Sequence, residues 1–265
     1  AMENGEVAAV CDTDAELVEQ RRREWGIAQG YTDYTELLAD ENVDAVDIIT
    51  PHHLHAPMTI AALEAGKHVS VQKPMCLTVP EADAMIAAAE RSGKMLRVFE
   101  NFRYYPPLVR AKELLDSGAV GDPLSMRIKI QRGVRPDEPP AHLMTPAWAS
   151  DHTQRGDGAL MLDYGAHLWP MAMWFLGGIE KVFAWHGVQP GTRWGVLDSP
   201  AIVAWKYEGA DRFGSCDMAQ SFDMRVATKY FPEDEWFEIT GSCGFIWVNR
   251  CTSMLLDRPP VVVYR

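Results

Sequence analysis

The stretch Gly66-Lys67-His68-Val69-Ser70-Val71-Gln72-Lys73-Pro74 decides how the chain folds. Its β-branched run reads as a short buried strand, and Gly66 is the kind of residue that closes a preceding helix. Pro74 has no N–H for a ladder and keeps the residue before it extended, so the strand stops with Lys73 at its carboxyl tip. Open α/β sheets bind their ligands beyond such tips. A lysine there is either an ordinary solvated loop residue or a member of a site, and the rest of the chain bears on the choice.

On both sides of this stretch the same unit recurs. Val7 to Cys11 reads as a strand ending at Asp12, and Thr13-x-x-Glu16 as a capping box for a helix running to about Trp25. Asp33 or Thr35 opens a short helix through Leu38. Ala45 to Ile49 is a strand ending at Thr50-Pro51, followed by a helix from Ala56 to Ala65. Thr78-Val79-Pro80-Glu81 is another capping box, with its helix ending at Gly93. Met95 to Phe99 is a strand ending at Glu100-Asn101, and a helix from Pro107 to Ser117 closes at Gly118. Alternation with short connections predicts a parallel, doubly wound sheet.

After Asp122-Pro123 the pattern changes. Leu124 to Gln131 alternates as a half-exposed strand does, Gly133 to Gln154 reads as a long proline-rich loop, and Ala159 to Phe175 as an apolar helix. Strands are expected at Val182–Trp185, Ala201–Tyr207, Gly214–Ser221, Glu235–Thr240, Phe245–Asn249 and from Val261 onward. The expected class is α/β. An incomplete Rossmann-type parallel-sheet domain (1–122, dinucleotide-binding) precedes an α+β domain with a largely antiparallel sheet (123–265, for substrate binding and oligomerisation).

At 265 residues the chain exceeds one ordinary core, which supports two domains. A formal charge of −12 argues against a nucleic-acid or anionic-membrane partner. No apolar run approaches the roughly 18 residues of a membrane helix, and no signal-peptide pattern opens the chain. The five cysteines are odd in number and never spaced C-x-x-C, which favours reduced thiols in a cytoplasmic protein over a disulfide frame or a zinc site. Both ends run directly into strands, so the sequence is expected to be part of a longer polypeptide.

The strands of the first half end in Asp12, Thr50, Lys73 and Asn101, whose side chains are expected to face a common crevice. An acid in the position of Asp12 hydrogen-bonds ribose hydroxyls and repels a 2′-phosphate, favouring NAD over NADP; it equally suits a helix cap before Thr13. His52, His53 and His55 raise a metal reading, but a polar loop entering a helix explains them better, H-E-x-x-H is absent, and no metal is expected. No G-x-S-x-G elbow supports a serine hydrolase.

The ordered set Thr50-Pro51-His52-His53-Leu54-His55, Ala65-Gly66-Lys67-His68-Val69, Gln72-Lys73-Pro74, Asn101-Phe102-Arg103-Tyr104 and Gly156-x-Gly158-x-x-x-x-Asp163-x-Gly165-x-His167 resembles the Gfo/Idh/MocA oxidoreductases, the glucose–fructose oxidoreductase and inositol dehydrogenase relatives. The likeness covers essentially the whole sequence. It implies that Lys73 contacts substrate and nicotinamide ribose, that His167 is the acid/base, and that Asp163 orients substrate or histidine. It also implies a cofactor-binding set of Asp12, Thr50, Pro51, His52, His55, Gln72, Lys73 and Asn101. At a spacing of four on a helix, Asp163 and His167 would share a face; a core histidine satisfied by that aspartate is the competing explanation. An imidazole can take a hydroxyl proton at neutral pH, and Lys73 would stabilise the developing alkoxide.

The implied function is an NAD-dependent dehydrogenase acting on a secondary hydroxyl of a sugar, cyclitol or related polyol, assembled as a homo-oligomer (dimer or tetramer). Relatives acting as NAD-assisted glycosidases or cis-dihydrodiol dehydrogenases, and a non-catalytic ligand-binding relative, are the alternatives. Three departures stand out. The N-terminal glycine-rich strand-turn-helix of the family does not occur in this sequence, and the sequence without it is expected to bind NAD poorly. Gln72 replaces the customary glutamate, and His52 and Asp157 replace an asparagine and a glycine. Arg103, Tyr104, Arg132, Trp148, His152, Arg155 and Tyr164 could line a sugar pocket, and ordinary solvated side chains explain them equally well.

Overall fold

A computed structural model describes residues 5–135, 147–156, 161–192, 195–228, 233–251 and 259–265. The chain forms two compact units, Ala1–Phe99 and Glu100–Arg265.

The first unit runs β1 (Ala9–Cys11), α1 (Ala15–Trp25), β2 (Gln29–Tyr31), α2 (Tyr34–Ala39), β3 (Ala45–Ile48), α3 (His55–Glu64), β4 (His68–Gln72), α4 (Val79–Ser92) and β5 (Leu96–Phe99). Strands β3, β4 and β5 form a parallel sheet in that order, with Val46 beside Val69 and Val71 beside Val98. Strands β1 and β2 pair in parallel. Val69 and Val71 are buried with Ile48, Leu63, Met85 and Ala88, so β4 packs α3 and α4 against its sheet. Burying each such side chain is worth about 1.5–3 kcal/mol.

The helix ends follow local chemistry. Gly66, at φ 78°, closes α3: its N–H donates to Leu63 O and that of Lys67 to Ala62 O, the paired bonds of a left-handed cap. Thr78 and Glu81 form the reciprocal capping box of α4, which ends at Gly93. The cap of α1 is a correction: Asp14, not Thr13, accepts from Glu16 N and Leu17 N. Strand β2 was not expected, because three residues are too few to show alternation. Gly30 within it lies so close to Val18 and Arg22 of α1 that a Cβ would collide with both.

The second unit comprises α5 (Pro106–Asp116), β6 (Pro123–Val134), α6 (Ala147–Ser150), α7 (His152–Arg155), α8 (Gly165–Leu176), β7 (Ile179–His186), β8 (Gln189–Thr192), β9 (Gly195–Leu197), β10 (Ala201–Tyr207), β11 (Phe213–Arg225), β12 (Glu233–Gly241), β13 (Gly244–Cys251) and β14 (Val261–Tyr264). Its main sheet has the order β14-β13-β12-β6-β11-β10-β7. Strands β6 and β11 are parallel neighbours, and the other neighbours in this sheet are antiparallel. One face, including Ile128, Ile130, Trp205, Met218, Phe237, Ile239 and Val248, packs on Leu168, Met171 and Phe175 of α8 and Leu108 and Ala111 of α5. The other face exposes Phe183, Trp185, Ile202 and Phe213.

Several boundaries moved. Strand β6 continues to Val134, beyond the expected Gln131, because Val134 pairs with Arg225. Helix α8 begins at Gly165, not Ala159; Tyr164 is its cap, residues 161–164 form a turn, and 157–160 lie outside the described residues. Two short helices, α6 and α7, occupy part of the expected 133–154 loop, of which 136–146 lie outside the described residues. The hairpin β8–β9 was not expected. No helix among the described residues is long and apolar enough to cross a membrane. Cys11, Cys76, Cys216 and Cys243 are free thiols.

Candidate active site

In the first unit, Thr50 and Lys73 follow the carboxyl ends of the adjacent parallel strands β3 and β4. The two ends are tied together by His55, the first residue of α3, which is completely buried. Its Nδ1 lies 2.7 Å from Pro74 O and its Nε2 2.9 Å from Thr50 O. His55 therefore holds the loop beside Lys73 and presents no ring nitrogen to a ligand, which corrects its expected place among the cofactor contacts and removes it from any metal reading. Gln72 Oε1 accepts from Lys73 N at 2.9 Å, so the residue standing in place of the customary glutamate fixes the backbone at the strand tip. His52 is buried, its ring 5.6 Å from that of His55, and Pro51 caps the 3-10 turn His52–Leu54.

Thr50 Oγ1 is buried with no hydrogen-bond partner among the described residues. Asp12 is exposed just past β1, with Oδ1 accepting from Asp14 N at 3.0 Å. A bound dinucleotide carries ribose hydroxyls and a carboxamide, groups suited to a carboxylate and an unsatisfied hydroxyl at strand tips. The residues present fit such a group.

In the second unit the organising contact is between Glu100 and His167. Glu100 Oε1 lies 2.7 Å from His167 Nδ1, with side-chain exposures of 14% and 12%. The same oxygen accepts from Phe102 N at 2.9 Å, and Oε2 accepts from Arg103 N at 3.2 Å. Burial pushes the Glu100 carboxyl up, but the His167 hydrogen bond and the two backbone N–H groups outweigh it and hold the group below its ordinary value. Facing a carboxylate, Nδ1 must carry the proton in neutral imidazole, which leaves the lone pair on Nε2. The His167 ring is stacked on Phe102 at 4.4 Å and 11°, with Tyr164 edge-on at 6.0 Å.

Glu100 is the candidate-site residue that the sequence reading passed over, taking the adjacent Asn101 instead. Asn101 is exposed. Asp163 is half-buried in the turn ahead of α8, two residues before the helix that carries His167 begins. Tyr164, expected in a substrate wall, is buried with its hydroxyl donating to Glu235 Oε1. Arg155 is buried, whereas Arg103, Tyr104 and His152 are exposed and Trp148 and Arg132 are half-buried. Arg103 lies 5.6 Å from the ring of Trp174.

Comparison with known proteins bears on both units. Residues 1–100 match a family model described as an oxidoreductase family with an NAD-binding Rossmann fold, and residues 108–247 match the Gfo/Idh/MocA C-terminal domain. The chain is 30% identical to a D-apiose dehydrogenase of Paraburkholderia graminis over 69% of this chain and 46% of that protein. It is 29% identical to a myo-inositol 2-dehydrogenase of Thermotoga maritima over 94% of this chain and 70% of that protein. A levoglucosan dehydrogenase solved with NADH and levoglucosan superposes with a TM-score of 0.78 at 26% identity, over 91% of this chain and 64% of that one. The chain thus spans about half the length of the first curated relatives it matches, 46% and 44%. On the two family models, which between them take in most of both units, the chain belongs to the Gfo/Idh/MocA oxidoreductase family.

Proposed function

We propose that the protein is an NAD-dependent oxidoreductase that takes hydride from a secondary hydroxyl of a sugar, cyclitol or related polyol, with Lys73, Asp163 and His167 as its catalytic group. The observation that carries this reading is the Glu100–His167 contact, which directs a free imidazole lone pair at Nε2. The names of the apiose, inositol and levoglucosan dehydrogenases support the substrate class.

In this reading His167 Nε2 accepts the proton of the substrate hydroxyl, and Glu100 stabilises the imidazolium that forms. The Lys73 ammonium faces the developing alkoxide, and Asp163 orients the substrate. When bound, NAD supplies the acceptor for the hydride, leaving a carbonyl product, the reduced cofactor and a proton on His167. Asp12 would hold the adenosine ribose and repel a 2′-phosphate, while Thr50, Pro51, His52, Gln72, Lys73 and Asn101 would hold the rest of the dinucleotide.

The test is absorbance at 340 nm with NAD and a panel of inositols, aldoses, anhydrosugars, cis-dihydrodiols and glycosides. One class should support reduction, and Lys73→Ala or His167→Ala should lower kcat/KM by about 10²–10⁴-fold. A protein that binds NAD by calorimetry but oxidises nothing in the panel, with Lys73→Ala indistinguishable from wild type, overturns the reading. The reduced thiols fit a cytoplasmic protein. A second copy of the chain is the partner proposed for the exposed sheet face bearing Phe183, Trp185, Ile202 and Phe213.

A further inference from the structure

Two carboxylates and two guanidiniums lie on the helix-facing side of the second sheet. Glu233 of β12 stands opposite Arg132 of β6, and Glu235 stands opposite Arg250 of β13. Glu233 is 5% exposed and Glu235 is 0% exposed, although Phe237 and Ile239, next on the same face, belong to the apolar core. Arg250 Nη1 lies 2.6 Å from Glu235 Oε1 and 3.9 Å from Glu233 Oε1, and Arg132 Nε lies 3.6 Å from Glu233 Oε2. Buried ion pairs are an expensive way to hold a sheet together, since apolar packing of similar volume serves as well or better. Their placement calls for a role other than stability.

The contacts lead to His167. Glu235 Oε1 accepts from both Arg250 and the Tyr164 hydroxyl. Arg250 lies 4.7 Å from the centroid of Phe102 and 5.7 Å from that of Tyr105. Phe102 and Tyr164 are the two rings against the His167 imidazole. The path from Glu235 through Tyr164, His167, Phe102 and Arg250 returns to the oxygen where it began.

We propose that Glu235 and Arg250 are positioning residues for His167, fixing through Tyr164 and Phe102 the plane of the imidazole and the direction in which Nε2 faces. The proposal rests on the reading of His167 as the acid/base. The charged groups facing Glu235 are Arg250 from β13 and Arg132 from β6, with Tyr164 from the turn before α8 and Glu233 on its own strand; Glu100 faces His167. Glu235 Oε2 is buried without a hydrogen-bond partner among the described residues and is a seat for a proton. Burial pushes this carboxyl up to about 7, against the pull of Arg250 and Arg132, so the network changes charge near neutral pH.

Histidine-selective NMR on the purified protein tests the coupling without requiring turnover. Tyr164→Phe and Glu235→Gln should each shift the His167 ring resonances and change its Nδ1/Nε2 proton ratio. Glu238→Gln, on the opposite face of β12, should leave both unchanged. Where polyol oxidation is measurable, kcat should fall about tenfold in the two network variants with KM for NAD unchanged. Folded Tyr164→Phe with a wild-type Nδ1/Nε2 proton ratio at His167 overturns the proposal, and this variant decides alone if Glu235→Gln does not fold. An inactive wild type removes the dehydrogenase reading and leaves the NMR result standing by itself.

Discussion

A neutral imidazole carries one N–H, and the Glu100 carboxylate decides where His167 keeps it. Glu100→Gln can present its amide N–H to Nδ1 and so favour the wrong tautomer. On the proposed chemistry kcat should fall by about 10²–10⁴-fold with little change in KM, measured at 340 nm. The two carboxyls of Glu100 and Glu235 titrate with opposite consequences. Glu100 is held below its ordinary value, so its contribution to stability is present above the unfolded-state pKa and lost as pH falls through the lower folded value. Acid unfolding of Glu100→Gln should therefore be the less steep below about pH 4.5. Glu235 is pushed up to about 7, so the native state holds its proton longer and wild type loses stability, up to about 3 kcal/mol, as pH rises from the unfolded pKa to neutrality. Denaturant titrations between pH 4.5 and 7.5 should show that slope reduced in Glu235→Gln. Motif order alone singles out His167 and Lys73 in the sequence. Glu100 is not singled out, since which of two adjacent polar residues turns inward depends on the backbone just past β5. Tyr164 was misread for a related reason: its partner, Glu235, belongs to a strand far along the chain.

Elements whose ends carry local chemistry were the easiest to place. The Thr78–Glu81 box and the glycines after α3 and α4 need only neighbours in sequence, and Thr78→Ala should cost about 1 kcal/mol in chemical denaturation. Helix α8 shows the opposite case. Its apolar run extends N-terminally past its first turn, so periodicity alone placed its start too early, and the turn at 161–164 is set by a tertiary contact, Met161 N donating to Asp198 Oδ2 at 2.8 Å. Gly165, its first residue, is buried, and a Cβ there would strike the indole of Trp169, whose Nε1 donates to Met161 O. Gly165→Ala should destabilise the protein by about 1–3 kcal/mol and disturb His167 two residues later, visible together as a lower melting temperature and a shifted imidazole resonance. Strand β2 was invisible to periodicity because it relies on Gly30 approaching α1 rather than on an apolar pattern.

For the chain as a whole, alternation of strand and helix followed by strands alone was enough to separate a parallel architecture from a largely antiparallel one. The reading placed the change of pattern at 122/123, whereas packing divides the chain at Phe99/Glu100, and α5 joins the core of the second sheet through Leu108, Ala111 and Leu115. A net charge of −12 does not prevent an apolar face from associating. If a second copy covers the face bearing Phe183, Trp185, Ile202 and Phe213, then Trp185→Glu with Ile202→Lys should reduce the mass seen by light scattering to that of one chain. An unchanged mass would place the association elsewhere.

The charged pairs of β12 also bear on how the sheet assembles. Alternation between faces repeats every two residues, so an apolar pattern cannot detect a strand that has slid by two. Such a slide would set Glu233 opposite Ile130 or Val134 rather than Arg132, and could set Glu235 opposite Val248 rather than Arg250. Each misplacement would strand a carboxylate in the core without its counter-ion. The pairs that hold the rings beside the histidine would thus also reject, as the strands assemble, an error to which the hydrophobic residues around them are blind.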